Sequence, residues 1–356
     1  MKKEEKPGAI VLTDGILHKS DAKTAHGLIR GTDRYTILAI IDPMHAGNDA
    51  GEVLDGQYRN IPVLADVETA LKNFDQISFC IIGIATVGGK LPLHFIPTLE
   101  ECLKNGISLV NGLHDYLSNI PSLVNLAAAN KLTLTDIRKP KNREDLHFWN
   151  AEIFSVTAPV IAVIGTDCAL GKRTTCRMVQ QACNDAGINA QMIYTGQTGW
   201  LQGGQYGFIF DATLNDFISG ELEHALVSCW KETKAEILLI EGQSALRNPS
   251  GPCGSELLIS GNAKQVILVH APKRKYYDEL PEWGEIASLT SEIELIKLYG
   301  SRVIAVALNT EHCTMEEALK YQQHYEHTLQ LPVLLPIQQG VAKIVPLLLN
   351  LINTNT

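Results

Sequence analysis

The chain has 356 residues, 45% of them hydrophobic and 19% charged, with a formal net charge of −9. That length allows two domains with separate cores, and the acidic balance argues against a nucleic-acid footprint. No apolar run reaches the ~18–20 residues needed to span a bilayer. The start, Met1-Lys2-Lys3-Glu4-Glu5-Lys6-Pro7, mixes both charge signs and does not read as a signal peptide. Eight cysteines contain no CxxC pair and several lie in apolar segments, so neither a disulfide framework nor a zinc site is expected. A reducing, cytosolic compartment is the corresponding expectation.

Taken in order, strands are expected at Ala9–Thr13, Tyr35–Ile41, Ser78–Ile84, Ile107–Val110 and Leu132–Thr135, with helices at Val67–Asn73, Leu99–Asn105 and Leu123–Asn130. Such alternation implies a parallel sheet covered on both faces. Asp42 ends the second strand, where a dinucleotide-binding fold keeps its ribose-binding acid. The first turn, Asp14-Gly15-Ile16-Leu17-His18, lacks G-x-G-x-x-G, so a structural Rossmann-like module is the better reading. The polar stretch Asp136–Asp145 reads as a linker, which divides the chain into a Rossmann-like domain at 1–145 and a second domain at 146–356.

The second domain opens on the most informative motif. The apolar run Pro159–Ile164 leads into Gly165-Thr166-Asp167-Cys168-Ala169-Leu170-Gly171-Lys172-Arg173-Thr174-Thr175 and then into helical spacing. A strand, a glycine loop with Gly-Lys, then a helix is the P-loop layout: N–H groups turn inward on a phosphate and the lysine adds a full charge. Arg173 occupies the place where Ser or Thr usually ligates Mg²⁺, with Thr174 and Thr175 following it. The loop is therefore expected to bind phosphate more clearly than to hydrolyse it. Further strands are expected at Ala190–Tyr194, Ile237–Ile240, Val266–Val269, Val303–Leu308 and Pro332–Leu335, with helices at Lys172–Ala186, Asp216–Lys231, Ser288–Leu298 and Met315–Gln330. The expected fold class is thus α/β, with an N-terminal Rossmann-like and a C-terminal P-loop NTPase-like parallel sheet.

Ligands of such sheets sit at the carboxyl ends of the strands. Glu241 ends one strand, in Glu241-Gly242-Gln243-Ser244, and is read either as a Mg²⁺ ligand together with Asp211 or as a general base. The glycine-rich run Tyr194–Gly204 places Gln197 and Thr198 as hydrogen-bonding groups around a small polar substrate, alongside Gln243 and Ser244, or else is a plain loop. His270 is followed by Lys273, Arg274 and Lys275, which favours a second anion contact or a proton-transfer role over a simple turn residue. Asn309 ends another strand and is read as pairing with an adenine edge or forming a turn.

Together, Gly165–Thr175, Ile240-Glu241-Gly242-Gln243-Ser244 and Ala307-Leu308-Asn309-Thr310-Glu311 resemble a two-domain family long labelled as a domain of unknown function. They resemble dethiobiotin synthetase and cobyrinic acid amide synthases more distantly. The closer resemblance implies a D-glutamate N-acetyltransferase that uses acetyl-CoA on a small acidic amino acid. It implies that Lys172 and Arg173 hold cofactor phosphate, that Arg274 or Lys273 meets substrate carboxylates, and that Glu241 or His270 is the base. Lys172 joins those two as a catalytic candidate. An ATP- and Mg²⁺-dependent ligase or kinase is the alternative, and a nucleotide-binding sensor a third. The expected partners are a small-molecule substrate and further copies of the chain in a homo-oligomer, with no nucleic acid and no membrane.

Overall fold

The computed structural model describes residues 6–355, so most of the mixed-charge start lies outside the described residues. The chain packs as two units, Met1–Pro140 with Gln197–Gly204, and Lys141–Gly196 with Gln205–Thr356. Each carries a six-stranded sheet whose strand pairs are all parallel, and the expected fold class holds. No helix among the described residues is long and apolar enough to cross a membrane.

In the first unit, β1 (Gly8–Leu12), β2 (Thr36–Ile41), β3 (Val63–Leu64), β4 (Phe79–Ile82), β5 (Ser108–Asn111) and β6 (Leu134–Asp136) lie in the order β3-β2-β1-β4-β5-β6. This is the order of a dinucleotide-binding sheet. Side chains of β1 divide by parity: Ile10 and Leu12 enter one apolar cluster, Ala9 and Val11 the other, so the sheet is buried on both faces. Asp42, just beyond β2, is fully buried and accepts from Thr13 Oγ1 at 2.8 Å, Leu17 N at 3.0 Å, His45 N at 3.2 Å and His45 Nδ1 at 2.8 Å. Its oxygens tie the first two strand-end turns together, and little acceptor capacity is left for a ribose.

The glycine-rich run after residue 196 differs from the loop expected there. Gln197–Leu201 is a short helix that belongs to the first unit, although the sequence boundary near 145 assigned it to the second. Leu201 is fully buried, Thr32 Oγ1 donates to its carbonyl at 2.8 Å, and the Arg34 guanidinium lies 3.9 Å from the Trp200 ring centroid. Glycines and amides misled the reading because the polar groups are satisfied internally: Gln202 Nε2 donates to Gly27 O at 2.6 Å and Gly31 O at 3.0 Å.

In the second unit, β7 (Val160–Gly165), β8 (Ala190–Ile193), β9 (Ile237–Glu241), β10 (Gln265–His270), β11 (Arg302–Leu308) and β12 (Val333–Leu334) run β12-β11-β10-β7-β9-β8. The parity argument repeats in β7, with Ile161 and Val163 on one face and Val160, Ala162 and Ile164 on the other. The chain fills the β9–β8 side first and returns to place β10 across β7. That reversal makes the carboxyl ends of β7 and β10 the topological switch point, where open sheets bind ligands. The stretch expected as a linker is anchored at both ends. Asp136 accepts from Leu117 N at 2.9 Å and Ser118 N at 3.0 Å in the first unit, and Lys141 Nζ donates at 2.6 Å to buried Glu221 in the second.

Candidate active site at the P-loop

The loop after β7 takes two left-handed residues, Ala169 at φ 50° and Gly171 at φ 86°, and the helix Lys172–Asp185 starts directly behind them. Gly171 is the helix N-cap and offers no side chain, so no cap side chain competes with an anion for the positive end of the helix. Lys172 is buried, at 6% exposure, and its Nζ donates to the Asp167 carbonyl at 2.6 Å. Burial lowers its pKa, while Cys168 and Asp167 oppose the shift. Gly165 leaves room for that lysine stem, since a Cβ there would lie 3.1 Å from Lys172 Cδ. Thr175 is buried and its N–H donates to Gly171 O at 2.9 Å; Thr174 stands half-buried in the same first turn.

A polar knot braces the loop from behind. Asp167 is fully buried and accepts from Asn248 Nδ2 at 2.8 Å, Arg274 at 3.1 Å and Asp278 N at 2.9 Å. Arg274 also donates to Cys168 O at 2.8 Å and to Glu311 at 3.0 Å. Its guanidinium therefore faces two carboxylates and a loop carbonyl, which gives it a structural task beyond the free carboxylate clamp expected from sequence. Asn248 was missed from the sequence, because a buried asparagine inside a loop carries no spacing signal. Ser244, at φ 30°, brings its Oγ to 3.2 Å from Cys168 Sγ.

The two strands beside β7 supply the acid and the histidine. Glu241, at the end of β9, is 2% exposed; its carboxylate lies 3.6 Å from Arg173 and accepts from Thr195 N at 3.2 Å. Burial raises its pKa and outweighs Arg173, which pulls it down. Gln243 Nε2 donates to Thr195 Oγ1 at 3.0 Å, so Gln243, Thr195, Glu241 and Arg173 form one cluster. His270, at the end of β10, is 8% exposed, and its Nδ1 lies 3.0 Å from Thr166 Oγ1. Burial lowers its pKa to about 4, so the ring is neutral at pH 7.

The remaining sequence candidates are dispersed. Asn309 donates its N–H to His270 O at 2.8 Å and accepts Glu311 N at 2.9 Å, closing an Asx turn beside β10. Asp211 is exposed in a short 3₁₀ turn, Phe210–Ala212. Gln197 and Thr198, both buried, belong to the first unit, where Gln197 packs against Gly112. Among the described residues, the carboxylate, thiol and imidazole clusters tight enough for a metal are Asp167/Cys168/Asp278 and Glu279/Glu311/His312. Neither contains the expected pair Asp211 and Glu241. At the position that ligates Mg²⁺ in a nucleotide hydrolase, Arg173 instead sets a cation against Glu241.

Comparison with known proteins agrees with this architecture. A family model described as a domain of unknown function, Rossmann-like (DUF1611_N), matches residues 43–140, and one described as a P-loop domain (DUF1611_C) matches residues 147–345. A D-glutamate N-acetyltransferase of a Pseudoalteromonas species is 30% identical over 272 residues, covering 74% of this chain and 79% of that protein. One from Tritonibacter scottomollicae is 29% identical over 271 residues, covering 74% and 79%. The crystal structure of a DUF1611 family protein from Anabaena variabilis superposes with a TM-score of 0.87 at 28% identity, over 97% of this chain and 100% of that one. The motif resemblance is thus borne out, and the chain belongs to the DUF1611 family of paired Rossmann-like and P-loop domains.

Proposed function

We propose that this chain is an acyl-CoA-dependent N-acetyltransferase for a small acidic amino acid such as D-glutamate. The observation that carries the reading is its likeness to two D-glutamate N-acetyltransferases at about 30% identity across three-quarters of the chain. The P-loop chemistry fits a phosphate-bearing acyl carrier: Lys172 and the first-turn N–H groups supply positive charge, and Arg173 supplies more where a hydrolase would recruit Mg²⁺. Acetyl-CoA, when bound, supplies an acyl group already activated as a thioester, so no phosphoryl transfer is required of the loop.

The work left to the protein is binding, orientation and proton transfer. The acceptor ammonium must lose a proton before its nitrogen attacks, and Glu241 is the better-matched base. Burial raises its pKa above the ordinary carboxylate value, whereas His270 is pushed to about 4 and is too weak. His270 instead holds Thr166 in the loop. In overall balance, the N–C bond forms and the C–S bond breaks; of the two protons the ammonium nitrogen sheds, Glu241 takes one and the leaving thiolate takes the other to depart as the thiol.

The test is thiol release from acetyl-CoA with D-glutamate, L-glutamate and D-aspartate, beside calorimetric titration with acetyl-CoA and with ATP, each with and without Mg²⁺. Amine-dependent release and metal-independent acetyl-CoA binding are expected. ATP binding that requires Mg²⁺, with acetyl-CoA silent and no acceptor used, would overturn the reading in favour of a ligase or kinase.

A further inference from the structure

A cavity of about 380 Å³ opens in the second unit between the end of β10, the loop Glu285–Ser288 and the helix Met315–Leu329. Its volume lies within the range of roughly 300–1,000 Å³ common for small-molecule sites. None of the steps above uses it. One wall is His270, whose Nδ1 is 3.0 Å from Thr166 of the P-loop, so cavity and phosphate loop share a single side chain.

Two cations stand on the wall that follows β10. Arg274 spends its terminal nitrogens on Asp167, Cys168 O and Glu311, yet its Nε is buried without a hydrogen-bond partner. That atom is closed to solvent, so Arg274 stays with its internal partners and leaves the exchangeable charge to its neighbour. Lys275 next to it is exposed and holds Glu285 at 3.0 Å, both side chains more than 60% in solvent, a pairing cheap to exchange. On the opposite walls, the Tyr325 ring meets His270 edge-on at 5.9 Å, and Ser288 and Thr290 add hydroxyls. An imidazole, a phenol ring, hydroxyls and a lysine whose surface ion pair is cheap to exchange, all beside a phosphate loop, suit one ligand chemistry: a purine nucleoside carrying a second phosphate away from the one in the loop.

We infer that this cavity takes the adenosine 3′-phosphate end of coenzyme A, with Lys275 reading the 3′-phosphate while the P-loop holds the pyrophosphate. This rests on the acyl-CoA reading and assigns new residues to it. The 3′-phosphate also separates coenzyme A from ATP and ADP, so the cavity would choose the carrier and leave the loop to hold it.

The experiment is calorimetric titration of the full chain with coenzyme A, 3′-dephospho-coenzyme A and ADP, repeated for Lys275→Ala and Thr290→Trp. Both substituted side chains are exposed, so folding is spared. Wild type should bind coenzyme A at least about tenfold tighter than its dephospho form, the worth of one charge-assisted contact. Lys275→Ala should erase that preference and leave dephospho-coenzyme A unchanged; Thr290→Trp, which crowds the cavity, should weaken both. Equal wild-type affinity for the two carriers, or a preference that survives Lys275→Ala, overturns the cavity assignment alone. Binding of neither carrier overturns the acyl-CoA reading beneath it.

Discussion

The charge of Lys172 sits in a buried loop where, among the described residues, its hydrogen-bond partner is a carbonyl, Asp167 O. An arriving phosphate would replace a neutral acceptor with an anionic one, worth about 1.5–3 kcal/mol. Lys172→Ala should therefore weaken acetyl-CoA binding about tenfold to a hundredfold by calorimetry, with the fold kept by circular dichroism. Glu241 must be ionised to act as a base, and its pKa is raised by burial. The acid limb of kcat/KM should consequently lie above the ordinary Glu value of about 4.3, and Glu241→Gln should abolish that limb and cost roughly 10²–10⁴ in rate. His270 acts on stability instead. Its folded pKa of about 4 lies below the ordinary value of 6.5, so the unfolded chain binds more protons between the two. The stability this confers is full above pH 6.5 and is lost as pH falls toward 4, by about 2 kcal/mol between pH 7 and 5. His270→Gln should flatten the decline in Tm over that interval; an unchanged slope would refute the assignment. Lys172 was legible in sequence from the glycine-loop motif, and Glu241 and His270 from their positions at strand ends. Their division of labour was not, since it depends on how deeply each is buried.

At the scale of elements, the expected strands and long helices were read from apolar runs and helical spacing. β3, Val63–Leu64, was missed: it is as short as β12 but stops at Ala65-Asp66, whereas β12 sits in the longer apolar run before Pro336. Gly242 shows what a motif conceals. A Cβ there would lie 2.4 Å from Val163 O, so the glycine lets β9 run close beside β7 just where Glu241 leaves the strand. Gly242→Ala should destabilise the second unit by about 1–3 kcal/mol in chemical denaturation and also reduce acyl transfer, because β9 carries the carboxylate. Near-native stability with full activity would show that the two strands can part without consequence. The brace behind the P-loop joins Asp167, Asn248, Arg274 and Asp278 from three separate stretches of chain. Arg274 was visible in sequence as a cation beside a strand end, yet nothing local showed that it faces inward to two carboxylates.

For the whole molecule, the run from Gln197 to Gly204 leaves the β8 region and completes the first unit's core. Leu201→Ala should cost about 2–5 kcal/mol, and a fragment ending at residue 140 should expose the apolar surface that Leu201 covers. Dye binding by that fragment, quenched in the full chain, would confirm it. The amino-acid sequence by itself determined two parallel α/β sheets, the P-loop, the family and the strand-end acid and histidine. The family rests on the resemblance of its motifs; the rest is written in periodicity and spacing, which local sterics and apolar burial translate directly into structure. Only the tertiary structure decided that Gln197–Gly204 belongs to the first unit, that Asp42 is consumed by internal hydrogen bonds, and that a cavity adjoins the loop at His270. The physical reason is common to all three. Desolvation and hydrogen-bond satisfaction depend on partners distant in the chain, and no window of sequence contains them.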